Sequence, residues 1–430
     1  MSQASEERGL VRVIGRYDLT AAVINGVIGS SVFGMPARLA ELLGTASPWG
    51  YVIAGLFTLV IVLCFAEVAS RFQEAGGPYL YTRASYGPLV GFEVGWLTYW
   101  VRVTAVAANL NVFSEYLGQL VPAAGAGAGR LATMAFVLGV IVAVNIVGVR
   151  TATWAVNLFT LAKLLPLVFL ILIGLPQVEA SNLASQAVAD PRWLEAIVLL
   201  VFAYGGFDAP LIPAGEAKSP RRDTAFALLV ALGVIATVYA LVQLAVAGLV
   251  PNVAGTKAPV AAAFGQLLGQ TGVTIAALAA MTSVWGYATG NVLQSPRLLF
   301  AMGERNELPG AFARVHKRFR TPHVAIGAFA ACTMVAAAWG SFEWNATLSA
   351  IVRLVTYTLT CGAVLVLRRK HPDEPPGFRL PGAAFLAPVG AVLCVGLIVT
   401  RPMTQAWVLI ALLAAGALLW AVMRRRTMVA

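Results

Sequence analysis

A chain of 430 residues that is 59% hydrophobic and only 11% charged departs from ordinary soluble domains, which carry about 25% charged residues. Apolar runs recur from end to end, each long enough to cross about 30 Å of hydrocarbon, and the short alternating segments of a β-barrel are absent. The fold class expected is therefore an all-α polytopic membrane protein, and the net charge of +11 has its origin in loops rather than in nucleic-acid binding.

Taken in chain order, twelve transmembrane helices are expected over 19–43, 50–70, 89–120, 131–149, 152–175, 193–214, 224–249, 273–302, 323–340, 346–367, 383–400 and 405–423. The third and eighth exceed what a perpendicular helix needs and are expected to tilt. Segment 258–268 is too short to cross and is expected as an outer-surface helix. The N-terminus, MSQASEERGL, has no apolar core, so no cleavable signal peptide is expected. Cys64, Cys332, Cys361 and Cys394 all sit inside apolar runs, where they act as small hydrophobes rather than as a disulfide framework.

Orientation follows from lysine and arginine placement. On the side of the N-terminus lie 22 of the 30 cationic residues, among them Arg8, Arg12, Arg16, Arg150, Lys218 and Arg424–Arg426. The opposite side has only Arg130, Arg192, Lys257 and Arg401. Both termini are thus expected in the cytoplasm of a multi-pass protein of the cytoplasmic (inner or plasma) membrane. Four cations fall within spans: Arg38, Arg102, Lys163 and Arg353. Arg38 and Arg353 are expected to snorkel to the outer interface. Lys163 is the midpoint of the fifth span, about 16 Å from either end at about 1.5 Å per residue, and cannot.

Two spans are interrupted. Val23–Pro36 (VINGVIGSSVFGMP) places Asn25, Gly26, Gly29, Ser30, Ser31, Gly34 and Pro36 where a spanning helix favours Leu and Ile. Phe202–Pro213 (FAYGGFDAPLIP) pairs Gly205 with Gly206, then Asp208, Pro210 and Pro213. Lipid cannot satisfy the freed backbone groups, so they line a cavity or hold a ligand. Matched broken spans are a pointer to a transporter's binding site; the alternative is that the glycines only allow close helix packing. The half-helix resuming near Val32 presents amides and a positive dipole end to an anion, while the carbonyls ending the inner half favour an ammonium. Together the ends suit a zwitterion such as an α-amino acid. The breaks open two sets of five spans; five being odd, the second set enters inverted. The expected organisation is a cytoplasmic tail over 1–18 and a ten-helix inverted-repeat core over 19–367, with repeats 19–175 and 193–367. Helices 11 and 12 follow over 383–423, with a cytoplasmic tail over 424–430.

These residues resemble the amino acid–polyamine–organocation (APC) superfamily of secondary transporters. Ile28–Phe33, IGSSVF, is similar to that family's I-G-S-G-I-F, and Phe202–Asp208 to its motif in the sixth span. Glu67–Trp96, Glu216–Arg221 and Ser295–Pro309 match further family patterns. The matches cover spans 1–10. The resemblance implies a substrate site at the two breaks: Gly29, Ser30 and Ser31 at the substrate carboxylate with the Val27 carbonyl nearby, Phe202, Ala203 and Gly205 offering carbonyls to the amino group, and Phe207 as an aromatic gate. Ser31 stands where the family usually has glycine, so it narrows the approach or adds a hydroxyl donor.

A charge at mid-bilayer is a functional hypothesis by default. Lys163 has three readings. It titrates and carries a proton, it stands as a fixed ammonium where related carriers bind sodium, or it bonds the freed carbonyls of the first span. Asp208 either contacts a cationic side chain or caps the half-helix beginning there. Tyr99, Asn109, Trp285, Tyr287 and Asn291 are further pathway candidates.

Enzyme signatures, cofactor sites and metal-ligand spacing are missing: His316, His323 and His371 are loop residues, and no Walker A occurs. The function expected is secondary active transport of an amino acid by alternating access, proton-coupled and sodium-independent. An amino acid or polyamine exchanger or exporter is the alternative, and a transporter-like substrate sensor a further one. The partners expected are a small-molecule amino acid, a proton and the lipid bilayer; neither nucleic acid nor a metal is called for.

Overall fold

A computed structural model describes residues 15–72, 76–147, 153–208 and 220–429. Pro210, Pro213, Arg8, Arg12, Arg150, Lys218 and the first four residues of the Glu216–Arg221 motif lie outside the described residues.

Those residues form α-helices without strands: α1 (Arg16–Val27), α2 (Ser31–Leu43), α3 (Ser47–Ala69), α4 (Gly77–Tyr86), α5 (Pro88–Leu117), α6 (Gly127–Val147), α7 (Thr153–Gly174), α8 (Ala180–Ser185), α9 (Trp193–Ala203), α10 (Pro220–Leu249), α11 (Pro259–Glu304), α12 (His323–Trp339), α13 (Phe342–Lys370), α14 (Ala383–Val399) and α15 (Met403–Val429). Most of the long helices begin and end within a few residues of the expected spans, but α9 ends at Ala203 where the expected span reaches 214, and α11 begins at Pro259, well before the expected 273. α4 and α8 are additions: both are short and of mixed polarity, so apolar length gives no sign of them. The segment expected as a separate helix over 258–268 is the first part of α11. Gly269 (φ 59°, ψ −145°) sets it off from the rest, a left-handed conformation that glycine adopts without a Cβ penalty.

Seven helical stretches among the described residues are long and apolar enough to cross a membrane, and α9, α12 and α14 are shorter apolar helices. α5 is not among the seven although it has 30 residues. It carries Glu93, Arg102, Asn109, Asn111 and Glu115, and from Gly91 to Tyr116 nearly every residue is buried. α5 packs on α4, α6, α11, α12, α13 and α15, so its polar groups meet protein instead of lipid. α6, α14 and α15 lie at the periphery, showing Phe136, Val399 and Trp407 outward. The two broken stretches are enclosed at the centre. α1 packs on α7, α10 and α11, and α9 packs on α2, α3 and α13.

Candidate functional site

The first break falls between α1 and α2. Ile28 leaves helical geometry (φ −73°, ψ 96°) after its amide donates to the Ile24 carbonyl, and Ser30 opens α2 without a side-chain cap. Three helices supply partners for the backbone so released. From α7, Lys163 is fully buried and its Nζ donates to the carbonyls of Ile28 (2.7 Å) and Asn25 (3.2 Å). From α11, Ser283 Oγ donates to the Gly29 carbonyl at 3.0 Å. From α5, Asn109 Oδ1 accepts the Ser30 amide at 2.9 Å, and Asn109 is itself fixed by donating Nδ2 to the Ala105 carbonyl. Gly29 is pressed between Asn109 and the Tyr287 ring, so a Cβ there would lie 2.9 Å from Asn109 Oδ1 and force a neighbour to shift.

The second break follows α9. The Tyr204 amide still reaches Leu200, the Gly205 amide turns back to the Phe202 carbonyl at 3.0 Å, and Gly206 takes φ +109°. That value favours glycine. Gly206 is also held by contact, because a Cβ on it would strike the Gly26 carbonyl of α1. The two interruptions therefore meet backbone against backbone. Tyr239 of α10 joins them a second time. Its hydroxyl pairs with Ser31 Oγ at 2.9 Å and lies 3.4 Å from both the Val27 and the Ala203 carbonyls. Phe207 is closed into an aromatic group, edge-on to Phe65 (5.1 Å between centroids) and stacked on Tyr357 (5.4 Å). Phe202 meets Phe342 edge-on.

Charge is concentrated beside the second break. Arg102 of α5 donates Nη2 to Asp208 Oδ2 at 2.7 Å and Nη1 to Asn291 Oδ1 at 3.2 Å, with both charged side chains under a tenth exposed. Arg353 of α13 is 2% exposed. Gly205 lies directly against its guanidinium, where a Cβ would collide with Nη1. The expected snorkelling of Arg353 does not occur. Its side chain turns inward because the glycine leaves a recess at the break.

Two further ionic groups mark opposite ends of α13, whose Glu343 and Arg368 are separated by about 37 Å at about 1.5 Å per residue. At one end Arg38 of α2 pairs with Glu195 of α9 (2.7 Å) and Glu343 of α13 (2.8 Å), and also with Glu41. At the other, Arg368 binds Glu67 of α3 through two bonds of 2.7 and 2.6 Å. Glu307 there gathers Tyr79 and Arg83 of α4.

A family profile described as amino acid permease matches residues 14–422. The chain belongs to the amino acid permease family. The wider resemblance to the APC superfamily holds with it. Among its relatives is the methylthioribose transporter of Bacillus subtilis (strain 168), 29% identical over 426 residues that cover 94% of this chain and 91% of the relative. The branched-chain amino acid permease BcaP of the same organism is 28% identical over 439 residues, 96% and 94% of the two chains. Its serine/threonine exchanger SteT is 26% identical over 392 residues, 89% of each.

In this family member, Val27, Gly29, Ser30, Ser31, Phe202, Ala203, Gly205 and Phe207 all fall at the two meeting breaks, and Lys163 joins them from α7. The ionic residue Asp208 is placed by its bond to Arg102. Tyr239, Ser283 and Arg353 as a group at the break were not expected. Tyr239 and Ser283 each share their helix with other polar residues, such as Gln243 in α10 and Asn291 in α11, so no local signal singles them out. Of the pathway candidates, Asn109, Tyr287 and Asn291 touch the breaks or their ion pair. Tyr99 instead stacks on Trp96.

Proposed function

We propose that this protein is a secondary transporter that moves an amino acid across the cytoplasmic membrane by alternating access, with its substrate held where the two helix breaks meet. The observation that carries this reading is the contact of Gly206 with the Gly26 carbonyl, which brings both sets of interrupted helix ends into one place. The N-terminal turn of α2 offers amides and a positive dipole end to the substrate carboxylate, with Gly29, Ser30 and Ser31 as the contact residues. The buried Ser30 hydroxyl has no partner, which leaves a donor for it. Phe202, Ala203 and Gly205 line the other pole, and Phe207 serves as the gate.

In this proposal twelve spans cross the membrane with both termini in the cytoplasm. Residues 19–175 and 193–367 are inverted repeats, and α14 and α15 are added outside them. The broken stretches fall at the start of each half, in keeping with that arrangement. Arg38 ties α2 to α9 and α13 on the outer side, so outward opening has to separate it from Glu195 and Glu343. Lys163, holding two carbonyls of the first break, couples a proton to the cycle and makes sodium unnecessary. Exchange without an ion is the second reading. It is favoured by the same two bonds, which hold the ammonium in place through the cycle, and by the relative named as a serine/threonine exchanger.

Flux into proteoliposomes across the amino acids, with and without a proton gradient, tests the proposal. Saturable movement of at least one amino acid is expected, faster with an inward proton gradient. Equal rates with and without the gradient select exchange, and no movement of any amino acid overturns the proposal.

A further inference from the structure

We infer that Arg353 is an anion receptor within this site and that the substrate is an α-amino acid with a carboxylate in its side chain. The inference rests on the reading of the two breaks as an amino acid site, and it narrows the substrate to one charge class.

Arg353 is 98% enclosed, yet its Nε and Nη1 find no acceptor among the described residues. A guanidinium has five N–H donors and no acceptor and stays charged in proteins. Buried charges are paired or bound to something, so the absence of a partner marks a place for one. The nearest carboxylate acts on it only through space, without a hydrogen bond. Asp208 gives Oδ2 to Arg102. Its Oδ1 is likewise unpartnered, which shows that it does not bond Arg353. Tyr287 and Tyr357 are the other neighbours of Arg353, and neither brings a carboxylate. The Tyr357 hydroxyl lies beside the guanidinium but makes no hydrogen bond of good geometry. Among the described residues at the second break, two guanidiniums, Arg102 and Arg353, therefore stand beside one carboxylate, Asp208.

Position matters as much as charge. The guanidinium sits against Gly205, at the pole where the helix-end geometry alone favours an ammonium. A zwitterion without a side-chain charge brings no net compensation and sets its ammonium beside a cation. A dicarboxylic amino acid brings one net negative charge. Its α-carboxylate takes the amides of α2 and its side-chain carboxylate takes the planar fork of Arg353, which matches a carboxylate through two parallel bonds. Tyr287 lies against Gly29 on one side and neighbours Arg353 on the other, so the two anion-binding positions border a common space. Gly205 is what admits the guanidinium, which gives the paired glycines separate roles: Gly206 for backbone contact, Gly205 for Arg353.

The test is counterflow in proteoliposomes with L-glutamate and L-aspartate against L-leucine, L-serine and L-lysine. The wild-type protein is expected to move the two acids at least ten-fold faster than the other three. Arg353→Lys, which keeps the charge and loses the fork, is expected to raise KM for L-glutamate at least ten-fold with a smaller change in kcat. Arg353→Met, checked for folding by gel filtration, is expected to lose the acids. If the wild-type protein moves L-leucine, L-serine or L-lysine and neither acid, the inference fails and the transporter reading stands. If it moves no amino acid at all, the transporter reading fails and takes this one with it. Unchanged KM for L-glutamate in Arg353→Lys overturns the role of the guanidinium whatever becomes of Arg353→Met.

Discussion

The ion pair between Arg102 and Asp208 ties α5 to the second break, and its removal has a calculable effect. Nη2 and Oδ2 are 2.7 Å apart, with side chains 4% and 9% exposed. Two unit charges about 4 Å apart interact by about 4 kcal/mol at an effective dielectric of about 20, and removing one partner of a buried pair costs about 3–5 kcal/mol. The two single substitutions are not equivalent. Arg102→Gln leaves Asp208 with Arg353 still nearby, so some compensation survives. Asp208→Asn leaves two guanidiniums facing a neutral amide, and it is expected to be the more destabilising. Arg102→Gln/Asp208→Asn removes both charges, and should be less destabilising than the sum of the single changes by about 3 kcal/mol, well beyond the ~0.5 kcal/mol scatter of independent sites. Unfolding in mixed micelles, followed by tryptophan fluorescence for all four proteins, gives the cycle. Additivity within that scatter, or a greater loss from Arg102→Gln than from Asp208→Asn, would refute the placement of the pair and of Arg353 beside it.

Two further outcomes are expected. Lys163→Ala should abolish the pH dependence of uptake in proteoliposomes, while Lys163→Gln should keep the fold by retaining a donor for the Ile28 carbonyl; pH-dependent flux unchanged in Lys163→Ala removes the coupling role. Gly206→Ala combines a strained left-handed residue, worth about 1–3 kcal/mol, with a clash against the Gly26 carbonyl, so folded yield and melting temperature should both fall. Gly233→Ala is its control, since a Cβ there meets nothing and alanine favours a helix interior by about 0.5–1 kcal/mol; similar melting temperatures for the two would show that the breaks do not touch.

How much of this was legible beforehand depends on how local the cause is. Helix positions follow from apolar length, and the breaks from glycine and proline within it, so α1–α2 and the end of α9 stood out in the chain itself. Lys163 stood out because a lysine at mid-span has few explanations. The direction a side chain takes is not local. Arg353 lies about two turns into its span, a place from which snorkelling is sterically open. It turns inward only because Gly205, some 150 residues earlier in the chain, leaves a recess beside it. Asp208 likewise had a cap and a cation open to it until α5 brought Arg102 within bonding distance. Tyr239 shows the same limit: one hydroxyl reaches carbonyls of both breaks, and nothing in the helix around it tells which way it faces. α5 reads as a span by length, but its charged and amide side chains make sense only once the surrounding helices cover it.

The most direct measurement of the central claim, that an amino acid binds where the breaks meet and is carried across, is trans-stimulated flux. Proteoliposomes holding the purified protein are preloaded with one unlabelled amino acid at a time, and entry of the same labelled amino acid is followed. For at least one amino acid, entry should overshoot equilibrium and then decay, and the overshoot should vanish when Gly205→Trp fills the recess beside the second break in a protein that still elutes as a folded species. Absence of overshoot for every amino acid, or an overshoot undiminished by Gly205→Trp, would contradict it.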